Sequence, residues 1–186
     1  PMDREGMEKY IAAEMCCTLN NHWGIGYRDF DYKSPSALIE NLCACRKVGA
    51  NYLLNVGPSA EGEILPLQVE MLKMVGEWIK VCGWPIYEGK PCGIETSNKN
   101  FALKAGDKYY LFIHDLGRRG SENVVQDGPG QGYKKFYGFA DEIKSIKWLD
   151  NNEELKFTQN NGILSVYATG FEYGKQLVVR VAEVTL

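Results

Sequence analysis

Cysteine is the residue of this 186-residue chain whose chemistry would be most distinctive, because thiolates bind zinc and form disulfides. The six cysteines are Cys16, Cys17, Cys43, Cys45, Cys82 and Cys92. The first pair lies on a predicted strand, where neighbours point to opposite faces, and the second on a predicted helix, where residues two apart do not share a face. No CxxC pair occurs. The spacing therefore predicts small buried side chains, a reduced compartment and no metal site, and it leaves a disulfide through Cys82 or Cys92 open.

His22 and Trp23 are neighbours in a polar and aromatic segment, residues 20–33, which is predicted to be a loop. An imidazole can donate a hydrogen bond to a ligand hydroxyl, and an indole offers an electron-rich face to C–H bonds. His114 follows an apolar strand in the second half of the chain and is predicted to be a buried or edge histidine. Trp148 and Tyr167 are predicted to belong to a β-sheet core.

The acidic residues in polar turns are predicted to be solvated loop charges; they are Asp29, Asp31, Glu61 and Glu63. Glu14 is the one carboxylate with a second interpretation, because it stands directly before an apolar run. It is either a site carboxylate or one half of a buried structural ion pair at the start of a strand, and the structural role is preferred.

Composition excludes several function classes. The net charge is −3 and 24% of the residues are charged, so no basic face for nucleic acid is expected. No stretch approaches the roughly 18 apolar residues that a membrane span needs. Residues 1–8 are polar and charged, which is not the pattern of a signal peptide. The 45% apolar content is typical of a packed globular chain.

The first half alternates strand and helix. Residues 15–19 form a short apolar run that predicts a strand, and the apolar centre of "NYLLNVG" at 51–57 predicts a strand covered on both sides. Between them, Ser34 is placed as a helix N-cap with Pro35 at the first helical position, and Gly49 as the residue after the helix.

Two helical faces are predicted to be buried. That of the first helix is Leu38, Ile39, Leu42, Cys43 and Cys45; that of the second, which Pro66 opens and Gly83 ends, is Leu72, Val75, Ile79 and Cys82. A βαβα unit of this size leaves strand edges unpaired and faces half covered, so it is expected to need partners outside itself.

The second half carries only β patterns. The predicted strands are 108–114, 133–139, 143–148, 162–167 and 176–184, with turns at Asn151–Asn152 and Asn160–Gly162. Five or six short strands joined by Asn/Gly turns predict an antiparallel sandwich. The predicted fold class is therefore α/β plus all-β, with one domain at residues 1–88 and a second at 89–186, joined near the Gly- and Pro-rich stretch 83–93.

Three segments carry a resemblance to a known family. They are "AEMCCTLNNHWGIG", "YKSPSALIENLCACRKVGANYLLNVGPSAEGEI" and "LQVEMLKMVGEWIKVCGWPIY". In order and spacing they resemble glycoside hydrolase family 29, the α-L-fucosidases, over about the first half of the chain. The resemblance implies that this half is the last βαβα part of a (β/α)8-like barrel. Ala13 stands where the family usually has Trp, and His22 and Ile25 differ from the family's "SWGY".

The resemblance also implies a reaction and its residues. The family are retaining hydrolases, which use one carboxylate as nucleophile and another as acid/base. Both the nucleophilic Asp and the acid/base Glu are expected upstream of Pro1, so no catalytic residue is assigned here and Glu14 remains a weak candidate. Trp23 is expected to pack on the apolar side of fucose, with His22 beside it as a second substrate contact. Asn55 faces the same rim, where capping the next turn is preferred for it.

Three interpretations stay open. The first is a fucosidase portion, inactive alone, that needs a fucosylated glycan and the remainder of the barrel on the same or a separate chain, with no cofactor and no metal. The second is a carbohydrate-binding module. The third is an interaction portion that forms a homo-oligomer or pairs with a partner. By family resemblance the compartment is secreted, periplasmic or lysosomal, with a cytoplasmic location left open.

Overall fold

A computed structural model of the chain describes residues 13–119 and 129–186. The chain divides into two compact units, one extending to Val75 and the other beginning at Gly76. The domain boundary predicted after residue 88 stays a prediction.

The first unit contains a parallel pair of strands joined through a helix. Strand β1 is Glu14–Thr18, helix α1 is Pro35–Lys47 and strand β2 is Asn51–Asn55. The register runs from Glu14 opposite Asn51 to Thr18 opposite Asn55, so the carboxyl ends of the two strands lie at the same edge. The predicted strand–helix–strand order is confirmed.

Local sequence signals set both ends of α1. The Ser34 side chain accepts a hydrogen bond from the backbone N–H of Ala37 at 3.1 Å, and Pro35 occupies the first helical position. Gly49 has φ +74°, the left-handed conformation that ends helices. The predicted buried face is confirmed at Leu38, Ile39, Cys43 and Cys45, while Leu42 is only half-buried.

The side chains of β1 and β2 are more exposed than those of a parallel strand that is covered on both faces. Met15 is 36% and Leu53 is 46% exposed, so the expectation that the second strand is covered on both sides is wrong for the described residues. The reason is that this sheet has two strands and α1 is the helix packed on β2 within the unit. Each strand therefore keeps one unpaired edge among the described residues.

Helix α2, Pro66–Glu88, is longer than predicted. Gly83 was expected to end it, but Gly83 is buried inside the helix and lacks the positive φ of a C-cap, and Pro85 also lies within it. The helix continues because its last turn packs inward, with Ile86 only 4% exposed. The predicted stripe is correct at Val75 and Cys82 and wrong at Leu72 and Ile79, which are half-buried. The buried line is Met71, Val75, Trp78, Cys82 and Ile86.

The second unit contains two antiparallel sheets. One has five strands in the order β3-β4-β5-β10-β7, and the other has three in the order β6-β9-β8. The bounds are β3 Lys90–Pro91, β4 Phe101–Ala105, β5 Lys108–Ile113, β6 Gly132–Tyr137, β7 Ser145–Trp148, β8 Phe157–Asn160, β9 Ile163–Ala168 and β10 Arg180–Thr185. Five of these were predicted, while β3, β4 and β8 were not. The pattern is that of a sandwich.

The five-stranded sheet is covered on both faces within the second unit. One face contributes Ala102, Leu111 and Ile113 to a core shared with Phe136 and Leu164 of the three-stranded sheet. The other face lies against α2. There the Trp78 indole N–H donates to the Val179 carbonyl at 2.9 Å. The unit is thus a helix, a sheet and a second sheet, stacked in that order.

A buried arginine ties the sandwich together. Arg180 is 2% exposed, and its guanidinium donates to both carboxylate oxygens of Asp150 at 2.9 and 3.0 Å. It also donates to the Thr169 and Gly170 carbonyls at 3.1 Å, and it stacks on the Trp148 ring at 4.2 Å. Fork-to-fork pairing and stacking on an aromatic ring are both uses for which arginine is preferred to lysine.

Two of the three residues predicted to be sandwich core or buried are placed as expected. Trp148 is fully buried and His114 is 5% exposed. Tyr167, however, is 38% exposed and lies on the outer side of β9, so its prediction as core is wrong. The Asn/Gly turn prediction is confirmed between β8 and β9, where Asn161 and Gly162 have φ +48° and +76°.

Within residues 13–119 and 129–186, all six cysteines are free, so neither Cys82 nor Cys92 forms the disulfide that the sequence left open. Burial raises the pKa of the Cys45 and Cys92 thiols and raises that of Cys82 to about 12, so these thiols stay protonated at neutral pH. No helix in the described part of the chain has the length and apolar character of a membrane span.

Removing the partner of the buried arginine is expected to destabilise the second unit strongly. Asp150→Ala leaves the Arg180 charge buried, which costs about 3–5 kcal/mol of unfolding free energy. Urea unfolding measures the loss. Glu154→Gln breaks the exposed pair between Lys147 and Glu154 and serves as the control, with an expected cost of about 0.5 kcal/mol or less. Equal costs for the two variants would contradict a structural role for the Arg180 pair.

Alkaline pH is expected to weaken the fold between about pH 9 and 12. Burial raises the pKa of Cys82 from 9.0 to about 12, and burial with the Glu183 carboxylate raises that of Tyr110 from 10.0 to about 12. Because the folded pKa values lie above the unfolded ones, keeping the two groups protonated in the folded state stabilises the fold. This contribution to the unfolding free energy is complete below pH 9 and is lost as pH rises through 12. Unfolding free energies across this range should fall less steeply in Cys82→Ala than in the exposed-thiol control Cys16→Ala. An unchanged slope in Cys82→Ala would refute the assignment.

Candidate functional site

The carboxyl ends of β1 and β2 bring together the loop at residues 20–33 and the turn at residues 56–65. Because parallel strands end at the same edge, the side chains that follow them meet there, and such edges are where α/β folds place ligand sites. The pairing continues one step past β1, since the backbone N–H of Leu19 donates to the Asn55 carbonyl at 3.2 Å.

Hydrogen bonds to the main-chain carbonyls of Leu19 and Asn20 close the base of the loop. The backbone N–H of Lys33 donates to the Leu19 carbonyl at 2.8 Å, and the Lys33 ammonium donates to the Asn20 carbonyl at 2.8 Å. Thr18 also donates through its hydroxyl to the Asn20 carbonyl. Leu19 and Asn20 are buried, so these hydrogen bonds attach both ends of the loop to a buried part of the main chain.

Asn55 and Gly57 hold the part of the loop that carries Trp23. The Asn55 side-chain amide donates to the Trp23 carbonyl at 3.0 Å, so the preferred prediction that Asn55 caps the following turn is wrong. Gly57 packs directly on the loop, because a Cβ placed there would lie 2.6 Å from the Gly24 carbonyl carbon and oxygen. The Gly57 N–H donates to the buried Gln68 side chain at 3.1 Å, which fixes this close approach.

The two residues that are predicted to contact substrate are exposed to solvent. Trp23 is 64% exposed while its main chain is held, and His22 beside it is exposed as well. A ring that is exposed on a fixed backbone loses little entropy when a ligand packs against it. Their roles as ligand contacts stay predictions.

Asp29 was predicted to be a solvated loop charge, and this is wrong. Its side chain is 8% exposed and Oδ2 lies 3.7 Å from Nε2 of His22, while Oδ1 accepts the backbone N–H of Asp31 at 3.0 Å. Oδ2 is buried and has no hydrogen-bond donor among the described residues. A buried carboxylate therefore faces the exposed imidazole from inside the loop. Asp31, Glu61 and Glu63 are exposed, as predicted.

Glu14 lies at the other end of the strand pair. It is exposed at the amino end of β1, where its carboxylate accepts a hydrogen bond from the Asn51 side chain at 2.5 Å. The preferred interpretation as a buried ion pair is wrong, because the residue is neither buried nor paired with a cation in any described contact. Its position at the amino end places it away from the Trp23 loop, so the geometry gives its weak catalytic candidacy no support.

The described part of the chain contains no cluster of side chains that could bind a metal ion. No group of three or more His, Cys, Asp or Glu side chains within residues 13–119 and 129–186 is arranged to hold an ion.

Two features of the site were not found from the sequence. The burial of Asp29 follows from how the loop folds back on itself, and a loop carries no periodic signal from which burial could be read. The close approach at Gly57 had a signal that was available, since a glycine directly after a buried strand often marks backbone contact.

Comparison with known proteins gives this site a context. A family model described as Alpha-L-fucosidase matches residues 2–84. The tissue alpha-L-fucosidase of Homo sapiens is 34% identical over 109 residues, which are 54% of this chain and 23% of that protein. The tissue alpha-L-fucosidase of Mus musculus is 39% identical over 110 residues, covering 54% of this chain and 24% of that protein. The match thus spans less than a quarter of these relatives.

Solved structures are similar over almost the whole chain. Alpha-L-fucosidase isoenzyme 1 from Paenibacillus thiaminolyticus is 28% identical with a TM-score of 0.74, over 93% of this chain and 39% of that one. A trapped covalent intermediate of an alpha-L-fucosidase from Bacteroides thetaiotaomicron is 17% identical with a TM-score of 0.73, over 92% of this chain and 37% of that one. The second likeness concerns the fold alone.

Filling the close approach at Gly57 is expected to disturb the loop that carries Trp23. Gly57→Ala forces the new Cβ against the Gly24 backbone, which overpacks the site and costs about 1–3 kcal/mol. Thermal unfolding and amide exchange of residues 20–26 would detect this. Gly76→Ala is the control, because it lies in α2 with no atom within 4 Å of the added Cβ, and it should be neutral or stabilising. Normal loop protection in Gly57→Ala would show that the contact does not hold the loop.

Proposed function

We propose that the chain corresponds to a C-terminal portion of an alpha-L-fucosidase and that it completes the active site of a retaining alpha-L-fucosidase. The substrate is a glycan that ends in α-L-fucose. The observation that carries the proposal is Trp23, an exposed indole on a main chain held by Asn55 and Gly57 at the carboxyl ends of two parallel strands.

The first half of the chain is proposed to be the last strands and helices of a (β/α)8-like barrel. The parallel register of β1 and β2 and the open faces at Met15 and Leu53 support this, because a closed barrel would pair the free strand edges and cover those side chains. The remainder of the barrel is its required partner, on the same or a separate chain. Residues 1–88 are assigned to the barrel and residues 89–186 to the sandwich.

The division of labour follows from the retaining mechanism. Two carboxyl groups about 5–5.5 Å apart act as nucleophile and acid/base. The nucleophilic Asp and the acid/base Glu are proposed to come from the barrel portion before Pro1. This chain supplies the pocket wall, in which Trp23 receives the apolar face of the sugar.

His22 is proposed as the second substrate contact. Its Nε2 faces the buried Asp29 carboxylate at 3.7 Å, which restrains the ring from inside the loop. Nδ1 is then directed away from Asp29 and, with the ring proton on Nε2 facing the carboxylate, can accept a hydrogen bond from a sugar hydroxyl. Asp29 is a positioning residue in this arrangement and touches no substrate.

A second candidate function is a carbohydrate-binding module without hydrolase activity. One observation favours it: Tyr133 and Tyr167 are exposed on the outer side of the three-stranded sheet. The two candidates differ in whether this chain, joined to the upstream barrel portion, supports hydrolysis.

Hydrolysis of 4-nitrophenyl α-L-fucoside tests the proposal. The 186-residue chain alone should show no turnover, and the protein that includes the upstream barrel portion should release nitrophenol. In that longer protein, Trp23→Ala should lower kcat/KM about 10- to 100-fold, mainly through KM, because contact with the sugar face is lost.

Trp84→Ala is the matched control, since Trp84 is 63% exposed, nearly the same as Trp23, but lies on α2. It should leave kcat/KM within about twofold, a difference of about 0.4 kcal/mol. Turnover by the isolated chain would show that the catalytic carboxylates lie within it. Equal effects of the two tryptophan variants would remove Trp23 from the pocket wall.

A further inference from the structure

The outer face of the three-stranded sheet is the uncovered sheet face among the described residues of the second unit. The five-stranded sheet has α2 on one side and the sandwich core on the other. The inner side of β6, β9 and β8 supplies Phe136, Leu164 and Val166 to that core. Every second residue of these strands therefore points outward, and no described element packs against that side.

The first row across this face is aromatic. Tyr133 on β6 stands opposite Tyr167 on β9, with ring centroids 5.2 Å apart and planes at 79°. The two rings are 63% and 38% exposed. Lys156 ends the row, because its carbonyl accepts the Tyr167 N–H at 2.8 Å and its side chain is exposed between the inward-facing Leu155 and Phe157.

The second row is polar, and the third is mixed. Lys135 stands opposite Ser165, which stands opposite Thr158. The third row begins with Glu95, which forms an antiparallel bridge to Tyr137 at the edge of β6, and Tyr137 stands opposite Ile163. With strands about 4.8 Å apart and outward residues about 6.8 Å apart along a strand, the three rows of β6, β9 and β8 cover an area of about 10 by 14 Å. The exposed Glu95 at this edge is the acidic residue of the rows, and Lys135 and Lys156 are the basic ones. We call this surface the tyrosine–lysine face.

We propose that the tyrosine–lysine face binds a sulfated oligosaccharide, at a second carbohydrate site independent of the hydrolytic one. Flat, exposed tyrosine rings accept the C–H face of a sugar ring, and hydroxyl groups beside them exchange hydrogen bonds with sugar hydroxyls. Lys135 and Lys156 outnumber the Glu95 carboxylate, so this face is net positive in a chain whose net charge is −3, and it is complementary to an anionic ligand.

The type of anion follows from the cations present. Planar carboxylates are matched best by the bidentate fork of arginine, and the three rows contain no arginine. Lysine acts as a compact point charge that suits a tetrahedral anion approached from several directions. The Ser165 and Thr158 hydroxyls lie in the same row as Lys135 and can donate to sulfate oxygens.

A second copy of the chain fits the face less well. A symmetric dimer through this surface would bury Lys135 and Lys156 of both copies in one interface, and like charges brought together in an interface are unfavourable. The central row is also polar, whereas the buried centre of a protein interface is depleted of charge.

Binding to the 186-residue chain tests the proposal without any hydrolysis assay, so its failure and that of the proposed hydrolase are separable. The probes are 6-sulfo-N-acetyllactosamine, its unsulfated form and 3′-sialyl-N-acetyllactosamine, titrated while backbone amide shifts are followed. The sulfated probe should bind at least tenfold more tightly than either of the others, and it should shift amides of β6, β9 and β8. Its affinity should fall as salt rises from 0.05 to 0.5 M, over which the Debye length shortens to a few ångströms, about 4 Å.

Variants separate the stacking and the charge contributions. Tyr133→Ala and Tyr167→Ala should each weaken binding about three- to tenfold, and Tyr133→Phe should retain it because the ring remains. Lys135→Gln and Lys156→Gln should each weaken binding about three- to fivefold and reduce its salt dependence. Tyr173→Ala and Lys175→Gln are the matched controls, since both residues are exposed in a turn outside the sheet.

Four outcomes would overturn the proposal. They are no binding of the sulfated probe, equal binding of the unsulfated or the sialylated probe, equal losses in the control variants, and a dimer in sedimentation that Tyr133→Ala dissolves. The first three refute a sulfated glycan on this face, and the last assigns the face to a second copy.

Discussion

The parallel pairing of β1 with β2 is the constraint on which the first unit depends. Its register brings Thr18 and Asn55 to the same edge, and every later contact of the Trp23 loop starts from there. Among the described residues, the same pairing leaves one edge of each strand unpaired. In the proposed barrel, further strands would pair with those edges and the site at the carboxyl ends would be shared with them.

The second unit differs, since a buried charged group there is paired within the unit. Arg180 is the clearest case, because a buried guanidinium is stable only when most of its donors are matched, and here Asp150, Thr169 and Gly170 accept from it. With the five-stranded sheet covered on both faces, the remaining sheet can present side chains outward without exposing a core. Under the two proposals, one portion of the chain lines a pocket shared with the rest of the barrel, while another offers an independent surface.

Sequence reasoning succeeded where the signal is local and failed where tertiary packing decides. Ser34, Pro35 and Gly49 specify α1 by chemistry that needs no other part of the chain. Gly83 carries an equally local stop signal, but the packing of Ile86 outweighs it and the helix continues. Trp148 and Tyr167 lie in similar alternating patterns, and alternation does not reveal which face a neighbour covers. In the candidate site, the role of Trp23 as a ligand contact was predicted from the resemblance to a known family. The burial of Asp29 depends on the path of the loop, which no sequence pattern indicates.

The strand order of the five-stranded sheet has a consequence for biosynthesis. Strand β10 lies between β5 and β7 and is made after both, so the sheet stays divided until Thr185 has left the ribosome. At about 5–20 residues per second, β5 waits several seconds with its apolar residues uncovered. Such an interval is when a nascent chain is most exposed to chaperones and to wrong partners. The five-stranded sheet is therefore completed only when β10, the last of its strands to be made, has been translated.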